Sequence, residues 1–254
     1  MLAAGCATLP SVTVQKIDGD KVEFVNTGAG QPVVVFETGM GPTMDTWNPV
    51  LEDIAAFTRV FAYNRPGYGR SHARHPPQTA SDVARKLRRN LQHAGHNPPY
   101  VLVGHSAGGL YANVFARMYP GDVVGVVLID SSHPRQFEYL KNEKPFVHSM
   151  LMASTAIGRR SYEGRILQGA QSEFETLDAF PDVPLVVLTA EKSSLFETKE
   201  MRRQWLAFQR ELAAMSSQST QTHVEGSFHY IHKSHSELVV QVVQRLVDAA
   251  RRID

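Results

Sequence analysis

Residues Val101–Tyr111 read VLVGHSAGGLY. An apolar run of strand character, beginning at Tyr100, stops at Gly104. A helix-prone stretch runs from Ala107 to Tyr119 and is stopped by Pro120-Gly121. Ser106 sits at the junction, in Gly104-His105-Ser106-Ala107-Gly108, a match to G-x-S-x-G. In that setting the serine occupies a sharp turn with strained backbone angles, and its hydroxyl stands clear of the sheet. Glycines two residues before and two after remove Cβ atoms that would clash across the turn. The helix starting at Ala107 aims free N–H groups and its positive dipole end at the same place, which favours a developing oxyanion. A tight turn without chemistry has the same spacing, so a nucleophilic Ser106 needs a base and an acid elsewhere in the chain.

Outward from this turn, strand and helix patterns alternate. Val12–Ile17 and Lys21–Asn26 read as a hairpin joined by Asp18-Gly19-Asp20. Val33–Phe36, Val60–Tyr63, Tyr100–Val103 and Val123–Ile129 are short continuous apolar runs, as expected for strands buried on both faces. Helical patterns lie between them at about Asp45–Phe57, Ala80–Ala94 and Ala107–Tyr119. This alternation predicts an α/β fold with a mainly parallel sheet covered by helices on both sides. It breaks between Ser131 and Pro184, where the sequence is polar and helix-prone and carries no buried strand pattern. The interruption is too long for an ordinary loop and reads as an inserted helical lid. Strand patterns resume at Pro184–Thr189 and Gln221–Val224, with helical patterns at Thr198–Met215 and Ser236–Arg251. The expected division is a tail at 1–11, a core at 12–130 and 184–254, and a lid at 131–183.

The bulk composition excludes several classes. The chain has 254 residues and 43% hydrophobic content, enough for one large α/β domain. With 26 Lys and Arg against 25 Asp and Glu, there is no electrostatic case for nucleic acid or an anionic membrane surface. No run approaches the ~20 apolar residues of a membrane span. A single cysteine, Cys6, rules out an intrachain disulfide and matches no zinc-site spacing. Leu2-Ala3-Ala4-Gly5-Cys6 resembles the end of a bacterial lipoprotein signal, but five residues cannot supply the charged and apolar regions such a signal needs. Either the start lies upstream, which implies a periplasmic or membrane-anchored lipoprotein, or the match is accidental and the chain is cytoplasmic.

Five stretches together resemble the α/β-hydrolase superfamily, in its lid-bearing branch of esterases, haloalkane dehalogenases and epoxide hydrolases. They are ETGMG after a strand, YNRPGYGRS, GHSAGG, a strand ending LIDSSHP, and GSFHYIH near the end. The resemblance covers nearly everything from Val12 onward and implies a mostly parallel eight-stranded sheet. It also implies the chain order nucleophile, acid, histidine. Gly226-Ser227-Phe228-His229 aligns with the loop that carries the base, which gives His229 that role. His223, His232 and His235 are read as surface or capping histidines, and His105 as packing beside the elbow.

The acid departs from the common pattern. Many relatives place it after the penultimate strand, and here that position is Ser193. Haloalkane dehalogenases often place it at the end of the strand after the nucleophile helix, which is Asp130 in this chain. Asp130 also closes a very apolar strand, a costly place for a carboxylate unless it is paired. Glu191 is the rival acid. The resemblance assigns the oxyanion donors to the backbone N–H groups of Met40 and Ala107. The family's histidine before Met40's glycine is Thr38 here, and Glu37 is a candidate to brace the loop in its place. Arg65 reads as a loop brace, and Tyr68 as a lesser candidate for the pocket.

The expected activity is a serine hydrolase cleaving carboxylic esters through an acyl-enzyme, with no metal or organic cofactor. Lactonase, thioesterase, aminopeptidase and carbon–carbon hydrolase chemistry stay open, as does a non-catalytic binding protein on the same fold. Dehalogenase and epoxide-hydrolase chemistry needs a carboxylate where this chain has Ser106.

Overall fold

The computed structural model describes residue 9 and residues 11–155, 161–192 and 197–252. Cys6 and Ser193 lie outside the described residues. Eight strands form one sheet: β1 Thr13–Ile17, β2 Asp20–Thr27, β3 Val33–Glu37, β4 Val60–Tyr63, β5 Tyr100–His105, β6 Val123–Ile129, β7 Leu185–Ala190 and β8 Ser219–Val224. Their spatial order is β1-β2-β4-β3-β5-β6-β7-β8. The β1–β2 and β2–β4 pairs are antiparallel, and every pair from β4 to β8 is parallel.

Buried alternation on the strands builds two cores. On β5, Tyr100 and Leu102 point to one face and pack with Leu87 of α2 (Ala80–His93) and with Leu110 and Tyr111 of α3 (Ala107–Met118). Val101 and Val103 point to the other face, against Val50 and Leu51 of α1 (Asn48–Ala55) and Val243 and Val247 of α9 (Ser236–Arg251). Period-two side chains on a strand buried on both faces require this arrangement.

The topology fixes where a site can form. After β3 the chain crosses to β4 on one side, and β5 returns to pair with β3 on the other. Strand order therefore reverses between β3 and β5, and in open α/β sheets the crevice at the carboxyl ends beside such a reversal is where ligands bind. The Thr38–Gly41 loop leaves β3 there, and Ser106 leaves β5.

Between β6 and β7 lie α4 (Gln136–Glu143), α5 (Pro145–Thr155) and α6 (Ser161–Phe174), and no strand is described there. The Glu173 carboxylate near the end of α6 accepts the Ala80 and Ser81 N–H groups at 2.9 and 2.7 Å. An anion thus meets the positive N-terminus of α2, which fastens that end of the insertion to the core. Helix α7 (Lys199–Ala213) follows β7, and the short α8 (Ile231–Ser234) precedes α9.

The approach of α3 to the end of β3 is close enough to test. A Cβ on Gly108 would lie 2.0 Å from the Glu37 carbonyl oxygen and 2.7 Å from that of Thr38. These are backbone atoms at the end of a central strand and cannot yield. Gly108→Ala is expected to cost about 3 kcal/mol or more. Gly121→Ala, where nothing lies within 4 Å, should stay within about 0.5 kcal/mol of the parent. Urea unfolding of the two variants beside the parent measures both.

Candidate active site

Ser106 has φ 53° and ψ −125°, between the last residue of β5 and the first of α3. A residue with a side chain held there carries strain of roughly 1–3 kcal/mol. The strain persists because the neighbours fix it. Ser106 N–H donates to the Ile129 carbonyl at 3.1 Å, and the Ser106 carbonyl accepts from Gly109 and Ser132 N–H at 2.9 and 3.0 Å. A Cβ on Gly39 would come within 2.9 Å of His105 Nδ1 and 3.2 Å of the Ser106 Cβ, so the loop after β3 presses directly on the elbow. Among the described residues, the Ser106 hydroxyl and the Met40 and Ala107 N–H groups have no hydrogen-bond partner.

His229 and Asp130 meet. Nδ1 of His229 lies 2.7 Å from Asp130 Oδ2. A carboxylate only accepts, so Nδ1 carries the proton and Nε2 is left as a base. Asp130 is 5% exposed while the His229 side chain is 42% exposed, so a buried acid orients an accessible ring. The other carboxylate oxygen, Oδ1, accepts from Trp205 Nε1 at 2.9 Å and from Ala190 N–H at 3.2 Å. Trp205, on α7, is absent from the sequence reading, because no local pattern links residues 75 positions apart. Glu191 turns elsewhere: its Oε2 accepts the Gly226 N–H at 2.7 Å in the turn after β8. No hydrogen bond joins Ser106 to His229 here. Such bonds are often long before substrate binds.

The remaining histidines sort by burial. Nε2 of His105 lies 3.0 Å from the His229 carbonyl oxygen, and the two rings are 4.5 Å apart. Burial, then the nearby His229 and His232, holds His105 well below the usual histidine range. It is therefore neutral and donates from Nε2, tying the His229 backbone to the residue beside Ser106. His232 differs from the expectation of a surface or capping residue. It is fully buried, lies against Trp47 with the ring centroids 4.5 Å apart and bonds Thr46 Oγ1 at 3.0 Å. Burial pushes it down to about 3. His223 is exposed on β8, and His235 precedes α9 and bonds Ser234 at 2.8 Å.

Arg65 braces the Thr38–Gly41 loop. Its Nη1 donates to the Thr38 carbonyl at 2.5 Å and to Glu37 Oε2 at 3.1 Å, and its Nη2 donates to the Gly39 carbonyl at 3.1 Å. Nε donates to Glu163 Oε1 at 2.6 Å. Glu37 also accepts from the Tyr63 hydroxyl at 2.6 Å. The Glu37 carboxylate thus holds the arginine, and the arginine holds the loop. Thr38 accepts from Trp47 Nε1 at 2.9 Å through its hydroxyl. Tyr68 is buried in this cluster, donating to Glu163, and does not line the large cavity described below.

A family model for the alpha/beta hydrolase fold matches residues 32–156. The solved structure of a thermophilic esterase from Thermogutta terrifontis superposes with a TM-score of 0.66 at 19% identity, over 94% of this chain and 98% of that one. A putative lipase from Acinetobacter baumannii AYE gives a TM-score of 0.72 at 19% identity, over 95% and 92%. The chain has the α/β-hydrolase fold, and its residues 32–156 match the model of that family. Protein YqjL of Bacillus subtilis strain 168 is 26% identical over 223 residues, 84% of this chain and 82% of YqjL. An AB hydrolase superfamily protein of Gibberella zeae is 29% identical over 151 residues, 58% of this chain. This hydrolase-fold chain spans less than half the length of that relative (46%) and of YbdG of B. subtilis (39%).

In this α/β-hydrolase fold a cavity of about 450 Å³ opens beside His229 and Asp130. Trp205 and Phe208 of α7, Leu140 of α4, Val147 and Leu151 of α5, and Phe228 supply most of its apolar wall. Ser106 does not line it, and His229 does. Among the described residues no group of three His, Cys, Asp or Glu is placed to hold a metal ion, and no helix is long and apolar enough to cross a membrane.

The Arg65 cluster has a measurable proton. Two buried carboxylates face one guanidinium, so full ionisation leaves an uncompensated negative charge. Burial outweighs the attraction of Arg65 and pushes Glu37 up from 4.5 to about 7. The folded chain then holds a proton that the unfolded chain releases. The stability from this group is fully present below about pH 4.5 and is lost as pH rises through about 7. Between about pH 5.5 and about pH 8 the parent should lose about 2 kcal/mol relative to Glu37→Gln. Denaturant unfolding of both proteins at the two pH values checks it, and parallel curves would refute the assignment.

Proposed function

We propose that this chain is a serine hydrolase that cleaves carboxylic esters through an acyl-enzyme. The observation that carries the reading is the 2.7 Å contact between His229 Nδ1 and the buried Asp130, with the His229 ring 4.5 Å from that of His105, the residue before the elbow serine. Ser106 Oγ attacks the ester carbonyl as His229 Nε2 takes its proton. Asp130 keeps the ring in the required tautomer and stabilises the imidazolium. The Met40 and Ala107 N–H groups receive the negative oxygen of the tetrahedral intermediate. His229 then protonates the departing alcohol. A water deprotonated by the same nitrogen attacks the acyl-enzyme and releases the acid. No step requires a metal or an organic cofactor.

The insertion at 131–183 acts as the lid of the core formed by 12–130 and 184–254. Its helices α4 and α5, with α7, shape a cavity large enough for a medium-sized apolar or aromatic group. Lactones are cyclic esters and enter the same scheme. A solved enol-lactonase from Burkholderia xenovorans LB400, TM-score 0.67 at 16% identity, has this fold. Thioesters and amides differ only in the leaving group, while a carboxylate-nucleophile mechanism is excluded by Ser106.

A fluorophosphonate probe should label the parent stoichiometrically and leave Ser106→Ala unlabelled. An unlabelled, folded parent would favour a non-catalytic binding protein. Asp130→Asn should lower kcat on an aryl ester by about 10³–10⁴-fold with folding retained. Glu191→Gln should change it less than about threefold, since that carboxylate braces a turn. The reverse pattern would move the acid to Glu191.

A further inference from the structure

The brace on the Thr38–Gly41 loop reaches outside the core. Its innermost acid, Glu163, belongs to α6, in the insertion, 98 residues from Arg65. The Glu163 side chain is 0% exposed, and both its oxygens are engaged, Oε1 by Arg65 Nε and Oε2 by the Tyr68 hydroxyl. The neighbouring Tyr162 hydroxyl donates to the Pro66 carbonyl at 3.0 Å, which fixes the same turn of α6 to the Arg65 loop.

The two groups that Glu163 holds both act on peptide planes beside Met40. Arg65 Nη2 donates to the Gly39 carbonyl at 3.1 Å. That carbonyl shares a peptide unit with the Met40 N–H. In a planar trans peptide the C=O and N–H point opposite ways, so anchoring one aims the other. A charged donor on the carbonyl also polarises the unit and makes its N–H a stronger donor. On the following peptide, the Gly41 N–H donates to the Tyr68 oxygen at 3.0 Å. Tyr68 can accept there because its own proton goes to Glu163. Both planes flanking Met40 are therefore fixed by groups that converge on one carboxylate of the insertion.

We propose that Glu163 is a positioning residue for the oxyanion hole: α6 docked on the core aims and polarises the Met40 N–H through Arg65 and Tyr68. The inference rests on the reading of Met40 as an oxyanion donor and adds its dependence on the insertion. Lid docking and transition-state stabilisation are then one event, because undocking α6 releases both peptide planes.

The test compares the parent with Glu163→Gln and Tyr68→Phe. Glutamine keeps the volume but removes the charge and places an amide N–H where Tyr68 needs an acceptor. Tyrosine to phenylalanine removes the hydroxyl that links Glu163 to Gly41. Rates on a p-nitrophenyl ester are expressed per site titrated with fluorophosphonate, so a partly unfolded sample does not count as a slow one. Glu163→Gln is expected to lower kcat by about 10–100-fold, short of the loss from deleting an oxyanion donor outright. KM should stay within about threefold, as expected for an interaction made in the transition state. Affinity for an arylboronic acid, which forms an anionic tetrahedral adduct on the serine, should fall in step with kcat, while affinity for the product carboxylate should not. Tyr68→Phe should show the same pattern at about 3–10-fold, and it decides the question if Glu163→Gln does not fold. Unchanged kcat and boronate affinity per site, or a loss carried by KM, would overturn the inference. Wild-type hydrolysis by Ser106→Ala would instead overturn the serine-hydrolase reading beneath it.

Discussion

Arg65 is a guanidinium with 3% exposure in the centre of the molecule, and a charge in that position has to be answered on every side. It meets the carboxylates of Glu37 and Glu163, the carbonyls of Thr38 and Gly39, and the faces of Tyr68 and Tyr111 at 5.4 and 4.9 Å. The Coulomb gain of a buried pair is largely offset by desolvation, so such a cluster adds little net stability. Removing one partner is different, because it strands the others and costs about 3–5 kcal/mol. The cluster therefore selects one arrangement of three parts of the chain: the end of β3, the loop after β4 and the start of α6. That arrangement sets the loop which faces Ser106.

A second constraint acts at the end of β6. Asp130 has φ 41°, a left-handed conformation that aspartate tolerates better than most residues. Its carboxylate receives donors from three separate elements, the Ala190 N–H at the end of β7, the Trp205 indole on α7 and the His229 ring after β8. With both oxygens held, the carboxylate cannot rotate away from His229. The indole of Trp205 also forms part of the cavity wall, so one side chain fixes the acid and contacts whatever fills the cavity.

What the sequence makes legible follows from how local the signal is. The elbow is readable because strand run, glycines, serine and helix all lie within eleven residues, and each needs the others nearby. The sheet is readable because strands buried on both faces leave continuous apolar runs, and the predicted limits lie within about three residues of those observed. His229 and Asp130 are readable as residues at strand ends, where the resemblance says to look. Trp205 and Glu163 are not. Each acts across the fold on a partner 75 or 98 positions away, and in sequence each is one more residue on an amphipathic helix. His232 misleads for a related reason. A histidine next to a lysine looks solvated, yet the turn of α8 drives it inward against Trp47 and Thr46.

Two carboxylates of the insertion meet the core at opposite ends of one helix. Helix α6 is pinned near its start by Glu163 in a buried ion cluster and near its end by Glu173 on the N-terminus of α2. Helix α5 meets solvent on one side and the cavity on the other. Lys144, just before it, pairs with Glu200 at the surface, where water and salt screen the attraction. Its Phe146 and Met150 are 80% and 55% exposed, one helical turn apart, while Val147 and Leu151 line the cavity. The ion pairs that fix α6 thus lie apart from the apolar residues of α5 that line the cavity, and one insertion carries both.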